Sequence, residues 1–331
     1  MKLATYQDGS RDGQLVLVSR DLSQAHYASG IATRLQQVLD DWGFLSPQLE
    51  TLYTDLNHGR LRHAFNFEPK RCLAPLPRAY QWLEASAYLS HEALLRRARG
   101  AELPDGFLSE PCLSQGGSDD FLGACEPARF ASEAMGIDFV AELAVVTGDV
   151  ERGVSAGEAL EGVRLLMLAN GWCLRQLAPA EQARGGGSLH SKPSASFSPV
   201  AVTPDELGAS WREGRVDLSL QTMWNGRKVG HCEAGAEMSF HFGQLIAQAA
   251  KTRRLRAGSI VGSGAVSKQD GSHGYSSIAE KRAIETLDSG AAKTEYMKFG
   301  DSIRIEMKGR DGLSLFGAID QDLLSLDEAA E

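Results

Sequence analysis

The 331-residue sequence predicts an α+β, β-rich fold with a small N-terminal α/β domain. Two observations predict it. Beyond about residue 72 the apolar runs are short, rich in Val, Ile, Leu and Trp, and punctuated by Gly or Asn-Gly, as strands are. Before that point a strand-like opening gives way to apolar spacing of helical period.

The elements follow in order. Residues 2–6 and 14–19 are apolar runs around DGSRDG, whose two Asp-Gly steps suit a tight turn, so a β-hairpin is predicted. A helical pattern covers 31–42. A second helix is predicted from Ser46 as N-cap and Pro47 in the first turn, through Leu49, Leu52, Tyr53 and Leu56, to a stop at Gly59. Pro69, Pro75 and Pro77 mark a boundary, giving expected domains 1–72 and 73–331. In the larger domain LAVVTG, LSLQTMWNG, SIVGSGAVS and SIRIEM read as strands. SIRIEM and LSLFGAI, joined by KGRDG, read as a C-terminal hairpin. The glycine run in ARGGGSLHS, residues 183–191, suits a lid or an inert surface loop, and the inert loop is the simpler expectation.

Composition narrows the function. Asp and Glu outnumber Lys and Arg by 43 to 34, a formal net charge of -9, which argues against nucleic acid or an anionic membrane as partner and favours a small-molecule substrate. The five cysteines form no C-x-x-C pair and read as reduced thiols. No apolar run approaches the ~20 residues of a membrane helix, so a cytoplasmic protein is expected. HEALL at residue 91 lacks the second histidine of a zincin helix, GSGAVS lacks the Lys-Ser/Thr of a phosphate loop, and no G-x-S-x-G elbow occurs.

Five stretches in order carry a resemblance: YQWLEASAYLSH (80–91), SQGGSDDFLG with GIDFVAELAVVTGDV (114–150), SKPSASFSPVAVTPDEL (191–207), AGSIVGSGAVS through GYSSIAE (257–280), and GDSIRIEMKGRDGLSLFGAIDQ (300–321). Together they resemble the fumarylacetoacetate hydrolase superfamily. The resemblance implies a mixed β-sandwich roll of the fumarylacetoacetase type, a homodimer, a divalent metal such as Mg2+ or Ca2+, and a substrate with adjacent oxo groups. It implies C–C bond hydrolysis of a β-diketone or 2-oxo acid through an enolate. A hard dication can template both oxygens, a histidine can activate water, and a lysine can stabilise the oxyanion.

Position by position, the resemblance makes Glu84 a metal carboxylate in place of the usual Asp and, seven residues on, His91 the base. A solvated helix face is the plainer reading of that spacing, and the surrounding YQWLEASAY favours the site. A Glu-x-Glu pair on one strand would set two carboxylates ~6.6 Å apart on one face; here it is Val140 and Glu142, so Glu142 is the surviving half, with an ordinary strand acid as the alternative. Asp138 shares that face one step further away. In LANGWCLRQ, Asn170 and Arg175 match while Gly171 replaces an expected aspartate. Lys192 matches the oxyanion lysine and Glu280 the carboxylate that orients the histidine, with a surface salt bridge as the alternative for each. Gln115, Ser114, Gly264 and Ala265 fall at substrate-binding positions, Ser114 replacing a tyrosine and Ala265 a threonine. Val140 and Gly171 together weaken or abolish the metal site. Three functions therefore compete: the parental hydrolysis, a repurposed non-hydrolytic step (decarboxylation, isomerisation or cyclisation) in a biosynthetic pathway, and an inactive homologue serving as a partner subunit.

Overall fold

A computed structural model describes residues 1–185 and 187–328. The chain opens with the expected hairpin, β1 (Lys2–Tyr6) antiparallel to β2 (Gln14–Val18), and β3 (Gln24–Tyr27) extends it. Helices α1 (Leu35–Asp40) and α2 (Trp42–Asn57) follow. Helix α2 starts at Trp42 rather than at Ser46, so Pro47 lies inside it. Trp42 and Leu45 pack on the apolar core, which draws the helix upstream. A proline so near the N-terminus costs a single donor. Gly59, at φ +66°, ends the helix where the sequence places the stop.

The rest of the chain forms β4 (Phe65–Asn66), β5 (Trp82–Ala85), α3 (Leu89–Ala98), β6 (Leu113–Gly116), β7 (Ala128–Phe130), β8 (Ile137–Asp138) and β9 (Ala141–Thr147). Next come α4 (Ala156–Glu161), β10 (Val163–Asn170), β11 (Cys173–Leu174), α5 (Ala178–Ala183), β12 (Ser196–Phe197), β13 (Ala201–Val202), β14 (Trp211–Arg212) and β15 (Arg215–Val216). The chain then runs through β16 (Ser219–Trp224), β17 (Arg227–Glu233), α6 (Phe242–Ala249), β18 (Ile260–Gly262), α7 (Ile278–Ser289), β19 (Ser302–Met307) and β20 (Ile319–Ser325). Asn225 and Gly226, both at positive φ, turn β16 into β17 as the Asn-Gly signal requires.

The main sheet has the order β4-β3-β2-β1-β13-β10-β9-β18-β5-β6, with β12 also paired to β10; within it β18 and β5 run parallel and the other pairs antiparallel. The strands on either side of residue 72 thus belong to one sheet, joined where Lys2 pairs with Val202. A second sheet has the order β17-β16-β19-β20-β7. The C-terminal hairpin differs from expectation: β19 pairs with β20, which takes only Ile319 from LSLFGAI, while the rest of that run meets the end of β19 through an isolated Lys308–Ser314 bridge and Leu315 N to Met307 O at 3.1 Å. Phe316 is fully buried and Gly317, at φ +72°, redirects the chain before the return strand begins at Ile319.

Strand β9 lies mid-sheet between β10 and β18 and is buried along its whole length. Leu143 and Val145 face one apolar cluster, while Ala144 and Val146 face the other. Period-two alternation therefore puts Glu142 on the second face. Glu84 falls on the same face through its strand neighbour Trp82.

Candidate active site

Glu84 and Glu142 come from β5 and β9, which flank β18. Its Gly262 lies between them, paired with Glu84 on one side and Ala144 on the other. A Cβ at Gly262 would stand 2.7 Å from Glu142 Oε2, so glycine is what lets that carboxylate cross the strand. Glu142 is fully buried and its Oε2 accepts from the Gly264 amide at 2.7 Å. Its Oε1 and Glu84 Oε2 have no hydrogen-bond partner. Burial, and then the neighbouring Glu84, push the Glu142 carboxyl well above the usual carboxylate range. Lys192 Nζ donates to Glu84 Oε1 at 2.9 Å. Burial alone would pull this ammonium down, but Glu84, with lesser help from Cys173 and Glu142, more than offsets it. The Lys192 ammonium thus faces two adjoining carboxyl groups and is bonded to that of Glu84.

Two neighbouring segments place Lys192. Leu174 N donates to Ser191 O at 2.9 Å. The α5 carboxylate of Glu181 accepts from the amides of His190 (2.6 Å) and Ser191 (2.9 Å), closing the glycine-rich loop. These amides and the Ser191 side chain hold Glu181 at a pKa of about 2.

His91, in the first turn of α3, is buried with Nδ1 4.0 Å from Glu280 Oε2, too long for a hydrogen bond. Burial, reinforced by Arg175, Lys192 and Arg99, lowers its pKa to about 3, so the imidazole is neutral. Glu280 on α7 accepts from the Ser267 hydroxyl and the Ser276 amide, yet burial still raises it to about 7. Between about pH 3 and about pH 7 the pair is uncharged.

Arg175 is aimed by Asp138, whose Oδ2 accepts from Arg175 Nε at 2.8 Å. The same buried carboxylate accepts from the Ile278 and Ala279 amides at 2.7 and 3.1 Å and so anchors the N-terminus of α7. Burial pushes Asp138 upward, but every group facing it is a donor, and a carboxylic acid proton would find no acceptor. Asp138 is accordingly ionised. Sequence reasoning weighed it only as a distant ligand; Arg175 and the SSIAE helix start were the signals of its position. Nothing in the sequence pointed to Glu181.

A cavity of about 280 Å³ gathers Glu84, His91, Ser114, Val140, Arg175, Lys192, Gly264 and Ala265. Glu142 lies beneath its floor, and Glu280 sits behind His91. Gln115 is not brought in: neighbours on a strand face opposite ways, and with Ser114 on the cavity side of β6, Gln115 is turned to solvent. Ser188 and Gln182 also line the cavity, so the glycine-rich segment is part of its wall rather than a remote loop. Cys112, Arg96 and Phe107 complete the outer rim, Arg96 lying 4.6 Å from the Phe107 ring centre.

The divalent metal implied by the resemblance is not matched by these donors. Among the described residues no group of three or more His, Cys, Asp or Glu side chains could hold an ion. Val140, Cys173 and Ala265 form a small apolar cluster where a further oxygen would be needed. Water can fill most positions around a hard dication, but the ion needs free carboxylate charge to hold it, and the Lys192 ammonium already occupies one of the two carboxylates. The residues do not fit a divalent-metal site.

The sheet, the two-carboxylate floor and the histidine set define a β-roll of the fumarylacetoacetase kind. The chain belongs to the fumarylacetoacetate hydrolase family: residues 82–322 match the fumarylacetoacetate (FAA) hydrolase C-terminal family and residues 1–78 the fumarylacetoacetase N-terminal domain 2. No curated protein matches the chain by sequence. Solved structures with the same fold include a fumarylacetoacetate hydrolase from Exiguobacterium antarcticum (15% identity, TM-score 0.66, covering 98% of this chain and 99% of that one). A 5-carboxymethyl-2-hydroxymuconate delta-isomerase from Mycobacterium smegmatis is similar at 14% identity and TM-score 0.61, covering 99% and 100%. A maleylpyruvate hydrolase from Sphingobium sp. SYK-6, solved with manganese (II) and pyruvate, matches at 13% identity and TM-score 0.64, covering 98% and 99%. The relatives are thus hydrolases and isomerases. No helix among the described residues is long and apolar enough to cross a membrane.

Asp138→Ala should cost on the order of 3 kcal/mol in urea unfolding, because it strands Arg175 and two helix amides; an unchanged midpoint would contradict the anchoring role. A second expectation concerns pH. A carboxyl raised from 4.5 to about 7 contributes stability that is present below 4.5 and lost as pH rises through about 7. Glu280→Gln should remove that part of the slope. The measurement is the difference between the unfolding free energies of the two proteins from pH 4.5 to 8, and a flat difference would show that Glu280 is not raised.

Proposed function

We propose that the chain is an enzyme that enolises a small anionic oxo acid, with His91 taking the proton from carbon and the Lys192 and Arg175 cations holding the substrate's oxygens. The observation that carries this reading is the meeting, in one small cavity, of an uncharged imidazole with an ammonium and a guanidinium. A neutral imidazole is free to accept a proton. The imidazolium it becomes faces Glu280, which is increasingly ionised above about pH 7. With Nδ1 turned to Glu280, Nε2 is the nitrogen for the substrate. Lys192 and Arg175 offset the negative charge that an enolate oxygen develops, inside a site where screening by water is weak. The proton taken from one carbon and returned to another, or to the same one, gives isomerisation or exchange; loss of CO2 from the keto form of a β-oxo acid generates the same enolate, which a proton then quenches at carbon.

A second reading, hydrolysis of a C–C bond in a β-diketone through the same enolate, is supported by the hydrolases among the relatives. It adds an attacking water and, with so few donors, an Mg2+ or Ca2+ ion brought in with the substrate.

The test is NMR observation of solvent deuterium entering pyruvate, oxaloacetate and acylpyruvates in the presence of EDTA. Deuterated starting acid or its decarboxylation product is expected, with a loss of roughly 10²-fold or more in His91→Asn. Cleavage to two acids only when Mg2+ is supplied would transfer the case to the second reading. No exchange with any of these compounds would sink the first.

A further inference from the structure

The disagreement between the donors and a metal site has a specific structural origin. The backbone at Gly171 is not among the residues at positive φ, so conformation does not demand glycine there. Space does. A Cβ at position 171 would stand 2.5 Å from Glu142 Oε1 and closer still to Glu84 Oε1. The carboxylates from β5 and β9 therefore converge on the place where a side chain at the end of β10 would begin. Neither can simply swing aside: Glu84 is held by Lys192 and Glu142 by the Gly264 amide. Val140, Cys173 and Ala265 pack together as a small apolar cluster close by in the chain. The backbone beneath is also fixed, since Val140 N donates to Asn170 Oδ1 and Gly171 N to Val140 O, both at 2.9 Å.

We propose that Glu84 and Gly171 are an interlocked pair: the Glu84 carboxylate fills the room that the missing side chain leaves, and the Lys192 ammonium is the permanent cation of the cluster. The substrate-free site is thereby closed to a resident divalent ion and carries its positive charge in the chain itself. An aspartate at 84, one methylene shorter, would withdraw from position 171 and restore room for a side chain there. This holds whichever reaction the cavity performs, so its tests do not use turnover.

Two measurements decide it. In the first, Mn2+ is titrated into the purified protein without substrate, followed by calorimetry and by the loss of the free-ion EPR signal. The wild type should bind nothing tighter than about 1 mM, while Lys192→Met, which leaves the carboxylates without their counterion, should gain at least roughly tenfold in affinity. Uptake of one Mn2+ per wild-type chain at micromolar concentration, abolished by Glu84→Gln, would overturn the proposal, as would a Lys192→Met protein no better than the wild type. The second is a thermal double-mutant cycle. Gly171→Ala alone should lower Tm by at least about 3 °C, and adding Glu84→Asp should recover half of the loss or more. Losses that simply add would refute the interlock. If Gly171→Ala gives no soluble protein, soluble folded Glu84→Asp/Gly171→Ala counts as the rescue, and failure of both counts against the pairing.

Discussion

The site depends on keeping charge out of water. Glu84, Glu142, His91 and Glu280 are all nearly or fully buried, and an isolated ion in such surroundings is far too costly to persist. The chain solves this in two ways. Where a charge is kept, it is paired at hydrogen-bond distance, as Lys192 is with Glu84 and Arg175 with Asp138. Where no partner is at hand, the group goes neutral, as the imidazole does, and burial pushes the Glu142 carboxyl in the same direction. Both devices rest on the central sheet, whose strands β5, β18 and β9 fix the spacing of the carboxylates more firmly than loops could.

Helix α7 links the Arg175–Asp138 pair to the neighbourhood of the histidine. Asp138 grips its first amides and Arg175 together, while Glu280, in its first turn, reaches toward His91. Moving the start of this helix would move the guanidinium and the carboxyl behind the imidazole at once. One buried carboxylate consequently positions both Arg175 and the helix start that carries Glu280.

Much of this was legible in the sequence, for identifiable reasons. The opening hairpin, the stop at Gly59 and the Asn225-Gly226 turn were readable because each depends on backbone conformations that few residues adopt. The cavity set Glu84, His91, Arg175 and Lys192 was legible only through resemblance, because residues from four separate segments meet in space and no spacing rule joins them. The failures share a cause. The upstream start of α2, the late start of β20 and the outward face of Gln115 are each decided by packing or sheet register, which no local pattern contains. The unsuitability of the donors for a dication was half visible in Val140 and Gly171. The other half, the Lys192 ammonium seated on Glu84, needed coordinates.

The joining of β1 to β13 bears on how the N-terminal segment relates to the remainder. A chain cut near residue 72 would leave β13 as a bare rim of unpaired peptide groups, an invitation to pair with another molecule. It would also strip away Lys2, whose ammonium donates to the Leu315 carbonyl at 2.8 Å beneath the C-terminal segment. The small N-terminal segment is better regarded as the hem of the larger sheet than as an appendage, and excising it would favour clumping over a smaller working enzyme.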